Sequence, residues 1–485
     1  MLPARCENPG VSAQPALVPL TGLDGVFLDL ETPATPMHVG SLHFFEPPAR
    51  GPREFYALVR RMLASRLNVA PIFGRRLASA PLNIAHPVWL DNARIDLNYH
   101  VRRMTVPPPG GRAEVERCVA DLHAELMDRA HPLWQMTVLE GLADGRCAYY
   151  FKVHHAVLDG VSSMALAAAL YDTGPTPARR PRSSRPRPRT SPGLIEVAGT
   201  VLRHDVSQLV RVLRYLPDAA RTLAELVTAP PPRRFTFGPR TPLNATITGE
   251  RSVAFVPVPL AEVKAVGARH QATVNDVVLA LCSAALRGYL ARHGGVPKEP
   301  LIAAMPISVR DPGDVRYGTE ATMSFLPLPT QLADPLRQLK KITATTAAVK
   351  AAHRARPHLP TDFPSVGVPW LAASLAALYA RGHVADVVPP IANVIISNVP
   401  GPRAPLYTVG LKMQEYWPLS IVEHGVGVNI TVISYVDTLE FGVTAARALV
   451  PEAREIADGL AAAHVALKRA ASARPRRAAA RSRRR

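Results

Sequence analysis

Residues 147–160 read CAYYFKVHHAVLDG. Cys147–Val153 is apolar and aromatic apart from Lys152. It follows the turn signal Ala143–Asp144–Gly145, the pattern of a buried strand entered from a hairpin. His154 and His155 close the strand, Asp159 lies four residues beyond His155, and Gly160 comes next. Alternation along a strand sends neighbouring side chains to opposite faces, so one of the two histidines reaches a given cleft. An imidazole with its ordinary pKa near 6.5 suits removal of a proton from an alcohol at neutral pH. Asp159 then orients the imidazole or pairs with a basic residue that fixes the loop, and Gly160 permits close backbone approach. A metal site is a second reading, but adjacent strand residues diverge and HExxH spacing is absent. A purely structural histidine pair is a third.

The chain has no GxSxG elbow, no P-loop and no dinucleotide fingerprint. A base without a covalent nucleophile points to direct attack by the substrate's own hydroxyl on an activated acyl group, such as a thioester. Outward from the motif, Met37–Glu46 and Met136–Leu142 read as strands, and Pro52–Leu67 and Arg112–Ala130 as helices. This first lobe ends near Asp172. Residues 177–192, PARRPRSSRPRPRTSP, have the composition of a linker. A basic amphipathic helix is expected over His204–Val227, either packed on the body or lying on a membrane surface. Beyond residue 241, strands are expected at Ser252–Pro259, Leu301–Arg310, Thr322–Thr330, Ala392–Pro402, Glu415–Val422 and Val426–Val436. Helices are expected at Val274–Ala291, Asp334–Ala352 and Pro451–Lys468. The fold class is α/β or α+β in both halves.

A chain of 485 residues is long for one domain, and 47% hydrophobic residues supply ample core. The net charge of +19 is local. Six arginines between 179 and 189, and nine lysines and arginines between 468 and 485, account for all but about +4 of it. Basic segments of this kind attract anionic membrane surfaces or nucleic acid nonspecifically. No recognition motif accompanies the charge, so no specific nucleic-acid partner is expected. The four cysteines have no CxxC spacing, which fits a reducing compartment. No signal peptide is read at the N-terminus, and the longest apolar run, Val366–Ala380, is short of the roughly 20 residues of a spanning helix.

HHAVLDG resembles the HHxxxDG motif of the superfamily of chloramphenicol acetyltransferase and peptide-synthetase condensation domains. The ordered blocks Leu20–Glu46, His131–Leu142, Arg240–Phe255, Thr273–Leu290, MPISVR (Met305–Arg310), SNVPGP (Ser397–Pro402) and Gly427–Tyr435 resemble the bacterial wax ester synthase/diacylglycerol acyltransferase family across residues 20–468. The resemblance implies two chloramphenicol-acetyltransferase-like lobes, 20–172 and 241–468, with the active site in a cleft or tunnel between them. Residues 1–19 would be an extension, 173–240 a linker with a connector helix, and 469–485 a disordered tail.

By residue, the resemblance makes His155 the general base, His154 its support, Asp159 a structural partner of Arg310, and Gly160 the small residue that leaves room. It places Asn275, Asp276, Pro132, Leu133 and Trp134 near the site. Gly318–Thr319–Glu320 departs from the family pattern, where a Gly-Asn pair is expected. The expected reaction is transfer of a fatty acyl group from acyl-CoA, as co-substrate and with no cofactor or metal, to diacylglycerol. A long-chain alcohol is the alternative acceptor, and a non-catalytic lipid-surface protein the alternative of another class. The expected location is cytoplasmic, bound peripherally to an anionic membrane or lipid-droplet surface.

Overall fold

The computed structural model describes residues 17–20, 22–78, 87–91, 95–158, 166–177 except 168, 237–308, 321–355 and 378–473 except 380, with isolated positions (199, 200, 203, 210 and 217) between them. In chain order the first half runs β1 (Leu17–Pro19), α1 (Gly22–Leu30), β2 (His38–Phe45), α2 (Phe55–Arg66), β3 (Arg76–Ala78), β4 (Val88–Leu90), α3 (Leu97–His100), β5 (Val101–Thr105), α4 (Arg112–Ala124), β6 (Trp134–Glu140) and β7 (Cys147–His154). The second half runs β8 (Arg251–Pro259), α5 (Leu260–Arg269), α6 (Val274–Arg292), β9 (Leu301–Ser308), β10 (Ala321–Leu328), α7 (Pro335–Ala355), β11 (Val394–Val399), β12 (Tyr407–Thr408), β13 (Leu411–Leu419), β14 (Val428–Tyr435), β15 (Thr438–Ala446) and α8 (Arg454–Ser472).

Among the described residues these strands form two large mixed sheets and one small one. The first sheet has the order β12-β13-β2-β7-β6-β5, and the second β10-β9-β11-β14-β15-β8. Residues 241–468, expected as a separate second lobe, therefore lend two strands to the first. β13 pairs antiparallel with β2, Leu42 facing Trp417 and Ser41 facing Pro418. Nine residues later the chain is in the middle of the second sheet, where β14 pairs with β11 and β15. The sheets press together at Gly442 of β15, where any side chain would collide with the Pro418 carbonyl of β13. Only glycine fits so close a backbone approach.

The apolar periodicity found its places. α6 sits at the centre of the second core, with Val277, Leu281 and Leu290 buried against Phe441, Val443 and Leu460. By length and composition α6 could cross a membrane, but two-thirds of its apolar window is buried in the protein, as in a core helix. A third core joins the halves through α4 of the first and β8 of the second, with Val119, Tyr150, Phe255 and Trp417 in contact. Buried Glu116 of α4 accepts from the Phe255 amide at 3.1 Å and also pairs with Arg454.

α4 stops at Ala124, short of the expected Ala130, for a local reason. Buried Lys152 of β7 donates to the carbonyls of Leu122 and Glu125 at 2.8 and 2.7 Å, taking helix-end acceptors that another turn would have used. Strand β15 and helix α5 were not foreseen in the sequence. The expected helix over 204–227, apart from residues 210 and 217, lies outside the described residues. So do most of the apolar run 366–380, the linker 178–192, Gly318–Thr319–Glu320 and the tail beyond 473.

Burial holds several histidines neutral: it pushes His43 and His123 down to about 3, and His100 and His155 down to about 4. In the unfolded chain each titrates near 6.5, so the fold binds fewer protons than the unfolded state. Their stabilising contribution is complete above about pH 6.5 and is lost as pH falls toward 4 and then 3. Glu440, raised to about 9 by burial, and Glu423, raised in the same direction, oppose this, two groups against six once His38 and His424, lowered by the same burial, are included. The melting temperature should therefore fall between pH 7.5 and pH 5, and His43→Gln should shrink that fall. An unchanged melting temperature over this range, or an undiminished fall in the variant, would contradict the assignment.

Candidate active site

Strand parity divides the histidine pair. Phe151, Val153 and His155 point from β7 and the turn after it into a cavity of about 770 Å³ between the two sheets. Tyr150, Lys152 and His154 point the other way, into the packing against α4, and are buried. From the first sheet, Val39, Ser41, Tyr416 and Pro418 complete the cavity wall. The second sheet contributes alternate residues of two paired strands, Ile395, Ser397 and Val399 of β11 and Asn429, Thr431 and Ile433 of β14. The lining is mainly apolar with a few polar groups, and the volume falls within the roughly 300–1,000 Å³ of small-ligand sites. Met323, Phe325 and Val399 line it and are also exposed, which marks where it opens.

β7 ends at His154, and His155 begins a single 3₁₀ turn, His155–Val157. The His155 amide donates to the Met37 carbonyl at 2.9 Å. Its ring stacks on Phe27 of α1, with centroids 4.0 Å apart and planes 24° from parallel. Nδ1 is buried with no hydrogen bond among the described residues. Burial first, and the field of His154 second, hold the ring at about 4, with its own backbone carbonyl pulling weakly the other way. At neutral pH the ring is an uncharged imidazole facing the cavity.

His154 is tied into the strand end and the turn that follows it. Its amide donates to the Leu133 carbonyl at 3.0 Å, and its Nδ1 accepts from the Ala156 amide at 3.1 Å, which forms the turn that presents His155. Its Nε2 stands 3.1 Å from Glu31 Oε2, off the line of a good hydrogen bond. Glu31 is buried and also receives Arg129 Nη2 at 3.0 Å and the Met37 amide at 3.3 Å. Burial alone would raise the Glu31 carboxyl, but His154 and Arg129 hold it below its usual range. Phe27 of α1 stands against the His155 ring, and Glu31, the residue after the helix ends at Leu30, stands beside His154. Sequence reasoning assigned neither a role.

The Pro132–Leu133–Trp134 block lies behind the site. None of the three lines the cavity. Leu133 and Trp134 are fully buried, and the Trp134 indole donates to the Phe73 carbonyl at 3.2 Å. The block holds the end of the histidine strand through the Leu133 carbonyl. Asp276 is a helix cap: Thr273 and Asp276 cap each other at the start of α6, and Thr346 donates to Asp276 Oδ1 at 2.7 Å. Asn275 accepts from Asn398 at 3.3 Å and so touches β11 between the lining residues Ser397 and Val399, without lining the cavity itself. Asp159, Gly160 and Arg310 lie outside the described residues, and the expected Asp159–Arg310 pair with them. No group of three or more side chains placed to hold a metal ion occurs among the described residues.

Glu31→Ala would leave His154 and Arg129 without their carboxylate. Removing one side of a buried pair costs about 3–5 kcal/mol, and because Arg129 reaches solvent we expect about 2–3 kcal/mol here. Denaturant unfolding measures it. A loss below about 0.5 kcal/mol would show that Glu31 does not anchor the motif.

Comparison with known proteins agrees with this geometry. Residues 20–278 match the wax ester synthase/diacylglycerol acyltransferase catalytic domain, and residues 317–468 the WS/DGAT C-terminal domain. A Mycobacterium tuberculosis protein with the provisional name of a diacylglycerol O-acyltransferase is 36% identical over 463 residues, covering 92% of this chain and 89% of its own. A second from the same organism is 35% identical over 460 residues, covering 93% and 99%. The solved wax ester synthase/diacylglycerol acyltransferase of Marinobacter aquaeolei VT8 superposes with a TM-score of 0.69 at 30% identity, over 94% of this chain and all of that one. The first condensation domain of the calcium-dependent antibiotic synthetase shares the fold, with a TM-score of 0.55 at 15% identity over 94% and 97% of the two chains.

Proposed function

The chain belongs to the wax ester synthase/diacylglycerol acyltransferase family and is an acyltransferase, and from that premise we propose that it transfers a long-chain acyl group from coenzyme A to diacylglycerol, with His155 as general base. The observation that carries this is the uncharged His155 ring set in the wall of a mainly apolar cavity. His155 takes the proton of the acceptor hydroxyl as its oxygen attacks the thioester carbonyl. The tetrahedral intermediate collapses with cleavage of the C–S bond, and the proton passes from His155 to the departing thiolate. No acyl-enzyme and no cofactor are required. A base in this role contributes about 10²–10⁴-fold. A plain long-chain alcohol is the second acceptor, favoured by the apolar character of most of the wall.

Both lipids are poorly soluble, so the enzyme must meet them at a surface. The exposed Met323, Phe325 and Val399 at the cavity opening are apolar where a lipid would enter. We place the protein in the cytoplasm, bound peripherally to anionic membrane or lipid-droplet surfaces, with the basic segments of the sequence supplying charge.

Two measurements test these readings. Labelled palmitoyl-CoA with diacylglycerol, hexadecanol or no acceptor should give triacylglycerol in the first case. His155→Ala should lower transfer by at least about 100-fold with the fold intact, and His154→Ala should cost less rate and more stability. Transfer by His155→Ala within about threefold of the parent would remove His155 from the role. In vesicle flotation, binding should be strong on anionic lipid at low salt and weaker at high salt. No binding on anionic vesicles at low salt would overturn the surface assignment.

A further inference from the structure

Glu423 is a cavity-lining carboxyl that the reaction described above does not use. It opens the turn Glu423–Val426 that carries the chain from β13 to β14, with Glu423 and Val426 exchanging backbone hydrogen bonds at 3.1 and 2.9 Å. The turn is held from outside. The Gly425 amide donates to the Ala245 carbonyl at 2.9 Å, Asn244 Nδ2 to the Gly425 carbonyl at 2.7 Å, and the Ile247 amide to His424 Nδ1 at 3.1 Å. A side chain on so fixed a backbone is fixed in origin.

Polar neighbours in the same wall are already engaged. Asn429 donates to the Ile421 carbonyl at 2.9 Å and accepts from Thr431 at 2.8 Å, while the Ser420 carbonyl accepts from His123 at 3.0 Å. The Glu423 carboxyl has no hydrogen bond or ion pair among the described residues. Burial raises its pKa, so the carboxyl takes up a proton more readily than an exposed one, and in that form it is a hydrogen-bond donor. A polar group left unpaired in a mainly apolar cavity is costly until a ligand satisfies it.

Its position suits one class of ligand. β13 lies beside β2 with Leu419 facing Gly40, and β2 lies beside β7 with His38 facing His154. Beyond Leu419 the chain leaves β2, and Glu423 and His155 line the same cavity from the segments that follow β13 and β7, the two strands flanking β2. An acceptor bound in this cavity with its hydroxyl at His155 therefore offers Glu423 whatever else it carries. In a fatty alcohol this is hydrocarbon. In diacylglycerol it is an ester carbonyl, an acceptor for the carboxylic acid proton.

We infer that Glu423 selects the acyl acceptor, donating a hydrogen bond to an ester carbonyl of diacylglycerol while His155 holds the hydroxyl. The inference rests on the acyl-transfer reading above and makes Glu423 a positioning and specificity residue. The experiment compares kcat/KM for dioleoylglycerol and hexadecanol, with palmitoyl-CoA as donor, in the parent, Glu423→Leu and Glu423→Gln. The Leu variant should lose about tenfold with dioleoylglycerol and stay within about twofold with hexadecanol. The Gln variant, which keeps a donor, should retain the parent's ratio within about threefold. A ratio unchanged in Glu423→Leu, or one that shifts in Glu423→Gln as far as it does in Glu423→Leu, would overturn the assignment of Glu423 and leave the acyl-transfer reading standing. A parent that acylates hexadecanol alone would overturn the diacylglycerol reading and this assignment together.

Discussion

A strand inside a sheet must have both rows of its backbone groups bonded, and for β2 the second partner comes from the far end of the chain. β13 pairs with β2 and so completes the sheet that carries the histidines, and within nine residues the same backbone enters the second sheet as β14. The rest follows from that short crossing. It holds the two sheets at a fixed separation, closest where Gly442 meets the Pro418 carbonyl. The space that remains is the cavity, and the crossing itself supplies part of its wall, from Pro418 to Glu423.

Within this frame, one strand's alternation sends His155 to the cavity and His154 to the packed side. His155 faces the cavity and is stripped of solvent until it is neutral, which costs basicity but leaves the ring free to take a proton. His154, on the other face, is tied into backbone and to Glu31. Lys152, on the same face as His154, ends α4 by taking its last carbonyls. α1 and the residue after it then close over the pair, with Phe27 against one ring and Glu31 beside the other. The Pro132–Trp134 block and the Asp276 cap belong to the same supporting layer, one step back from the cavity.

Much of this was legible in the sequence, and what was not has a common cause. Period-2 and period-3.6 patterns located most strands and helices because each buries one face against a core, and parity put His154 and His155 on opposite faces, while the choice of His155 came from the family resemblance. The membership of Leu411–Leu419 in the first sheet was not legible. A strand's own pattern says that it will be half-buried and not which sheet will bury it. Glu31 and Glu423 were missed for a related reason, since each acts through residues distant in sequence, and a single carboxylate carries no periodic signature. The early end of α4 depends on one lysine from another strand, which propensity within Arg112–Ala130 cannot reveal.

The pairing of β2 with β13 also bears on how the protein is made. When the ribosome has released β2, β6 and β7, the first sheet has its histidines and most of its core, but β2 still shows an open edge of unpaired N–H and C=O groups. Leu42 must wait for Trp417, most of the chain later, before that edge is closed. Such non-local pairing is slow, and a long exposed edge invites pairing with other chains meanwhile. The nascent first half is thus the stage at which this protein most needs protection from its own copies.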